Sequence, residues 1–91
     1  MTVEMTLELP EEVSIENVCE WKEKFTEVLQ GSSSVQVNAG ALSRVDTAGI
    51  QLFAVAAMAA KAAGKPLSWQ RPSDALKDTV AQLGLTQIVF N

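Results

Sequence analysis

Residues 2–9 alternate almost without a break, with Val3, Met5, Leu7 and Leu9 on one side and Thr2, Glu4, Thr6 and Glu8 on the other. Successive side chains of an extended chain point to opposite faces, so this pattern predicts a strand with one apolar and one polar face. The runs Val35–Ala39 and Leu67–Gln70 repeat it. A doubly wound sheet buries both faces and reads as unbroken apolar runs. Strands that alternate predict instead a sheet covered by helices on one side only.

Helical segments separate the strands. Ser14–Gln30 opens at a potential Ser14 cap and ends before Gly31 and a serine turn at 32–34. At the helical period Ile15, Val18, Cys19, Trp21, Phe25, Val28 and Leu29 share one side, and Glu16, Glu20, Glu23 and Glu27 form the opposite stripe. A second helix runs from about Thr47 to Ala63, stopped by Gly64 and Pro66. A third opens at Pro72-Ser73, is expected to bury Leu76, Val80 and Leu83, and stops at Gly84. The apolar tail Leu85–Phe90 is expected to pack back on the core. The order strand, helix, strand, helix, strand, helix, tail makes an α/β fold, and the 91 residues form one domain, 1–91.

Composition closes off several functions. There is no histidine and one cysteine, so neither a Cys/His metal cluster nor a disulfide framework can be built. Cys19 falls in the apolar stripe of the first helix and has no histidine to activate it. The sequence also offers no acid–base pair in a suitable context, no nucleophile with its base and no glycine-rich phosphate loop, which argues against an enzyme. The net charge of −4 argues against nucleic acid as a partner. The acidic, alternating start does not read as a secretory signal, and Thr47–Ala63 is too short and alanine-rich for a bilayer span. A cytoplasmic protein with no cofactor and no membrane insertion is the expectation.

The chemistry concentrates where the second strand-like run meets the alanine-rich helix, at Ser43-Arg44-Val45-Asp46-Thr47-Ala48-Gly49-Ile50. Asp46 is a short acceptor of the type that caps a helix, Thr47 opens the first turn and Gly49 allows close packing against the sheet. A hydroxyl at Thr47 lies beside unpaired N–H groups and the positive end of the helix dipole, where a phosphate is tolerated. On a helical wheel Gln51, Ala54, Met58 and Lys61 fall on the side of Thr47, with Val55 at its edge. Gly49, Leu52, Phe53, Ala56, Ala60 and Ala63 fall opposite and are assigned to the core. An outward stripe of small and apolar residues suggests a protein-binding surface.

This turn resembles the Asp-Ser/Thr-x-Gly signature of STAS domains, the family of anti-sigma-factor antagonists. The resemblance runs from about Val35 to Phe90 and includes Ala75-Leu76-Lys77 and a closing Leu83-Gly84-Leu85. It implies a STAS-like open, mixed or parallel sheet with helices mainly on one face. Many family members carry a second strand after the first, and Pro10-Glu11-Glu12-Val13 leaves little room for it here. The resemblance also implies that Thr47 is a regulatory phosphoacceptor. Arg44, Asp46, Thr47, Ala48, Gln51, Ala54, Val55 and Met58 would then meet a kinase-type anti-sigma factor. The Val-Asp-Thr-x-Gly form is similar, too, to the small STAS subunit of the bacterial phospholipid-asymmetry ABC transporter, whose partner is an ATPase. Stand-alone STAS adaptors of chemotaxis or histidine-kinase systems, which have a similar Trp-containing strand, are a third likeness.

Overall fold

The computed structural model describes residues 3–90; Thr2, placed above on a polar strand face, lies outside them. The strands are β1 (Glu4–Glu8), β2 (Glu12–Val13), β3 (Ser34–Asn38), β4 (Arg44–Val45) and β5 (Leu67–Gln70). The helices are α1 (Val18–Gly31), α2 (Thr47–Ala62), α3 (Asp74–Gln82) and α4 (Thr86–Val89). β1, β3 and β5 form a parallel sheet with β3 in the centre, and β2 and β4 form a separate two-stranded parallel ladder. Parallel neighbours need a long crossover, which α1 supplies between β1 and β3 and α2 supplies between β3 and β5.

The alternation in β3 translates directly into burial. Val35 and Val37 are buried beneath the helices, while Ser34, Gln36 and Asn38 line the other face. Across the strands the polar rows match, Thr6 beside Gln36 and Gln36 beside Ser68. Helices cover one face only, as the sequence predicts. Phe53 of α2 is fully buried at the centre, 6.1 Å from the Phe25 ring of α1 and 5.1 Å from Trp69 of β5. Trp69 meets Phe90 in a further edge contact at 5.4 Å, and its Nε1 donates to the Val89 carbonyl at 2.9 Å. The C-terminal segment is thereby fixed to the core, as expected for an apolar tail.

Several expectations need correction. The chain does form a second strand, because Glu12 and Val13 pair with Arg44 and Val45. That ladder pushes the start of α1 to Val18. Ser14 does not cap it: Asn17 closes a turn in front of the helix, its Oδ1 accepting from Ser14 N and its Nδ2 donating to the Glu12 carbonyl, both at 2.8 Å. Ile15 therefore stands outside the helix, and Cys19 is exposed instead of packed. Leu83 terminates α3 and is also exposed, because the chain reverses at Gly84 with φ +71°. At the end of α2, Ala63 is exposed as well. Ser73 does cap α3, accepting from Leu76 N at 3.1 Å. Among the described residues no helix is long and apolar enough to cross a membrane.

Candidate functional site

The turn into α2 is assembled from three pieces of chain. Asp46 is the N-cap residue, and its Oδ1 accepts from Gly49 N at 2.9 Å, as the sequence predicts. Its Oδ2 accepts from Ile15 N, also at 2.9 Å, and so holds the loop that precedes α1. One carboxylate thus ties the starts of two helices. Both N–H groups favour the ionised form, and they hold the Asp46 carboxyl below its ordinary value of 3.8, Gly49 contributing most and Ile15 next.

Gly49 is required by space. A Cβ at this position would lie 2.6 Å from the Val13 carbonyl oxygen and 2.7 Å from Val45 Cγ2. The first turn of α2 sits directly on the backbone of β2, which only glycine permits. The neighbouring Asp46 N donates to the same Val13 carbonyl at 3.4 Å. The β2–β4 ladder is thus the platform that carries the turn.

Thr47 is exposed at the first helical position. Among the described residues its hydroxyl takes part in none of the side-chain hydrogen bonds that hold this turn. Ala48 beside it is half-buried and Gln51, one turn on, is exposed. Val55 and Met58 are 56% and 57% exposed, so the outward apolar stripe exists. Ala54 does not belong to it, being buried among core residues. It forms part of a groove of about 490 Å³ whose other lining residues are Thr47, Gln51, Val55, Leu83 and Leu85. Arg44 points its guanidinium at Glu12, with Nη1 3.7 Å from Oε1 across the β2–β4 ladder, and its side chain is largely exposed.

Three neighbours of this turn, Ile15, Leu83 and Leu85, have a place there that the sequence reading does not assign. Ile15 is 71% exposed and is brought to the turn by its hydrogen bond to Asp46, across 31 residues of chain. Leu83 and Leu85 wall the groove opposite α2. The Leu83-Gly84-Leu85 reversal is the signal for the two leucines; nothing in the local sequence announces Ile15.

Residues 2–90 match the family model described as Mlab, STAS domain, so the likeness includes the N-terminal third as well as the segment from Val35 on. No curated protein matches the chain in sequence. Solved structures share the fold, three of them as follows. The Bacillus cell fate determinant SpoIIAA in its phosphorylated form is 21% identical with a TM-score of 0.73, covering 97% of this chain and 82% of that one. A sulfate transporter family protein from Wolinella succinogenes is 13% identical with a TM-score of 0.72, covering 94% and 70%. The protein TM1081, solved by NMR, is 17% identical with a TM-score of 0.76, covering 92% and 69%.

Proposed function

The chain belongs to the STAS domain family, and from that premise we propose that it is a non-enzymatic cytoplasmic signalling module of the anti-sigma-factor antagonist type. It binds a kinase-type anti-sigma factor through the exposed side of α2, and phosphorylation of Thr47 releases it. The observation that carries this reading is the division of labour in the turn. Asp46 and Gly49 hold the backbone, while the Thr47 hydroxyl is exposed at the mouth of an apolar groove.

A phosphate on Thr47 adds about −1.5 to −2 charges. The N-terminal dipole of α2 stabilises it, and the Asp46 carboxylate next to it opposes it. Because the clamp does not use the hydroxyl, modification alters the surface and leaves the turn intact. A partner resting on Val55, Met58 and the groove then meets a hydrated anion at the edge of an apolar contact. Arg44 can reach a new anion only by leaving Glu12, and an exposed ion pair of this kind costs little to break. The phosphorylated state of the Bacillus relative supports the switch.

A second reading is favoured by one specific observation, the description of the matching family as the Mlab STAS domain. Under it the protein is the small subunit of a phospholipid ABC transporter, α2 docks on the ATPase, and Thr47 is an assembly contact. Quantitative capture of partners from source-cell lysate, with wild-type, Thr47→Ala and Thr47→Glu baits, separates the two. A Ser/Thr kinase retained by wild type and Thr47→Ala but lost with Thr47→Glu is the outcome expected for the switch. An ABC ATPase as the retained partner assigns the protein to transporter assembly. A histidine kinase or chemotaxis component retained equally by all three baits contradicts both.

A further inference from the structure

α2 packs along the C-terminal segment that contains α4. Between them, the groove at residues 47–55 is followed along α2 by a second opening of about 450 Å³, lined on the α2 side by Ala57, Met58 and Lys61 and across from it by Gln87, Ile88 and Val89. They share no lining residue but follow one another along the same side of α2, and this trough of two openings spans the stretch from Thr47 to Lys61, about 21 Å of helix at 1.5 Å per residue. Four of the seven exposed large apolar side chains of the described residues stand along it: Val55, Met58, Leu83 and Ile88. Its far wall is rigid, because the Trp69 indole holds the Val89 carbonyl and Phe90 packs on the same ring.

The charge of the trough is one-sided. Among the described residues its only charged lining residues are Lys61 and Lys65, in a chain whose net charge is −4. The Lys65 ammonium is occupied by the Leu29 carbonyl at the end of α1. Among the described residues, Lys61 has no carboxylate partner. The two openings therefore follow an apolar stretch of α2 about four helical turns long, which ends at a lysine with no carboxylate partner among the described residues.

We propose that this trough seats a single amphipathic helix of a partner protein, which lays its apolar stripe on Val55, Met58, Leu83 and Ile88 and sets a carboxylate against Lys61. The inference rests on α2 being the docking face and adds the partner's element and its charge. Helix-in-groove recognition needs an apolar stripe about this long, and the cation selects among such helices. A second copy of the chain fits poorly. Its acidic helix α1 has Glu20, Glu23 and Glu27 outward but exposes no large apolar side chain to fill the channel.

The test titrates ¹⁵N-labelled protein with two synthetic amphipathic helical peptides of the same leucine stripe, one with glutamate and the other with lysine at the polar positions. The expected result is binding of the glutamate peptide, with amide shifts at Val55, Met58, Lys61 and residues 83–89. Lys61→Glu should weaken it roughly tenfold and reverse the preference. Equal binding of both peptides, shifts confined to the sheet face, or binding only to anionic phosphatidylglycerol vesicles would overturn the proposal. Thr47→Glu separates this inference from the switch. Loss of peptide binding with Lys61→Glu alone keeps the trough and counts against Thr47 as its gate, whereas loss with Thr47→Glu alone counts against the carboxylate contact.

Discussion

α1 and α2 pack side by side over the same face of the sheet, sharing the Phe25–Phe53 contact, yet they present different surfaces outward. α1 buries Trp21 and Phe25 and exposes Glu20, Glu23 and Glu27. Its amphipathic pattern is complete: one side is core and the other is solvated charge. α2 buries seven residues, among them Phe53, Ala54 and Ala56, and still exposes Val55 and Met58. A helix that is apolar beyond the needs of its core has a second surface to cover. The same difference appears at the helix starts. The Asp46 carboxylate caps α2, whereas Asn17 at the start of α1 makes no side-chain cap bond. The better-anchored helix is the one with the apolar exterior, which suits an element that must hold its shape while a partner docks.

Substitutions can break this contrast at several depths. Phe53→Ala removes the ring shared by both helices and β5, and should cost about 3–5 kcal/mol in urea denaturation. Gly49→Ala drives a methyl into the Val13 carbonyl and should cost about 1–3 kcal/mol, loosening α2 on the β2–β4 platform while leaving the α1 core in place. Chemical-shift changes centred on residues 12–13 and 44–50 would verify that localisation.

Asp46→Ala should lower the melting temperature by roughly 5 °C or more and free the Ile15 loop. Its effect depends on pH with a definite sign. Because the folded carboxyl titrates below its ordinary value of 3.8, the stabilisation is fully present above that value and is lost as the pH falls through the folded pKa. The stability difference between wild type and Asp46→Ala should therefore shrink on acidification below 3.8. Surface changes come last. Met58→Ser should alter stability by under about 0.5 kcal/mol while weakening partner capture. Glu20→Ala, which opens the exposed Glu20–Lys24 pair at 3.6 Å, should cost at most about 0.5 kcal/mol and leave capture unchanged. Equal loss of capture by both would erase the distinction between the helices.

Much of this arrangement is legible in the sequence, and where it is not the reason is physical. Period-two alternation reveals β1, β3 and β5 because each turns an apolar side toward the helices, fully buried in central β3 and only partly so at Leu7, Leu67 and Trp69 of the edge strands. Gly64 and Gly84, both at positive φ, mark the ends of α2 and α3 where the chain must reverse. The Asp46 cap and the outward Thr47 follow from the turn chemistry alone. The sides of α2 are harder to read: an alanine-rich helix gives its wheel little contrast, so the pattern does not show that Ala54 is buried beside the outward stripe or that Ala63 is exposed at the helix end. Ala54 is buried in a groove whose other wall, Leu83 and Leu85, returns from about thirty residues away. The two-residue strand β2 is too short to show a period, and the Ile15–Asp46 bond spans 31 residues, so no local pattern records either.

The central claim is that the turn is held by Asp46 and leaves Thr47 as surface. Native-state hydrogen exchange at the Ile15 and Gly49 amides tests it most directly, with Asp46→Ala and Thr47→Glu beside wild type. The account expects both amides to lose protection in Asp46→Ala and to keep wild-type protection in Thr47→Glu. Loss of protection at both amides in Thr47→Glu would contradict it, because the acidic side chain would then act by undoing the turn instead of by changing what a partner meets.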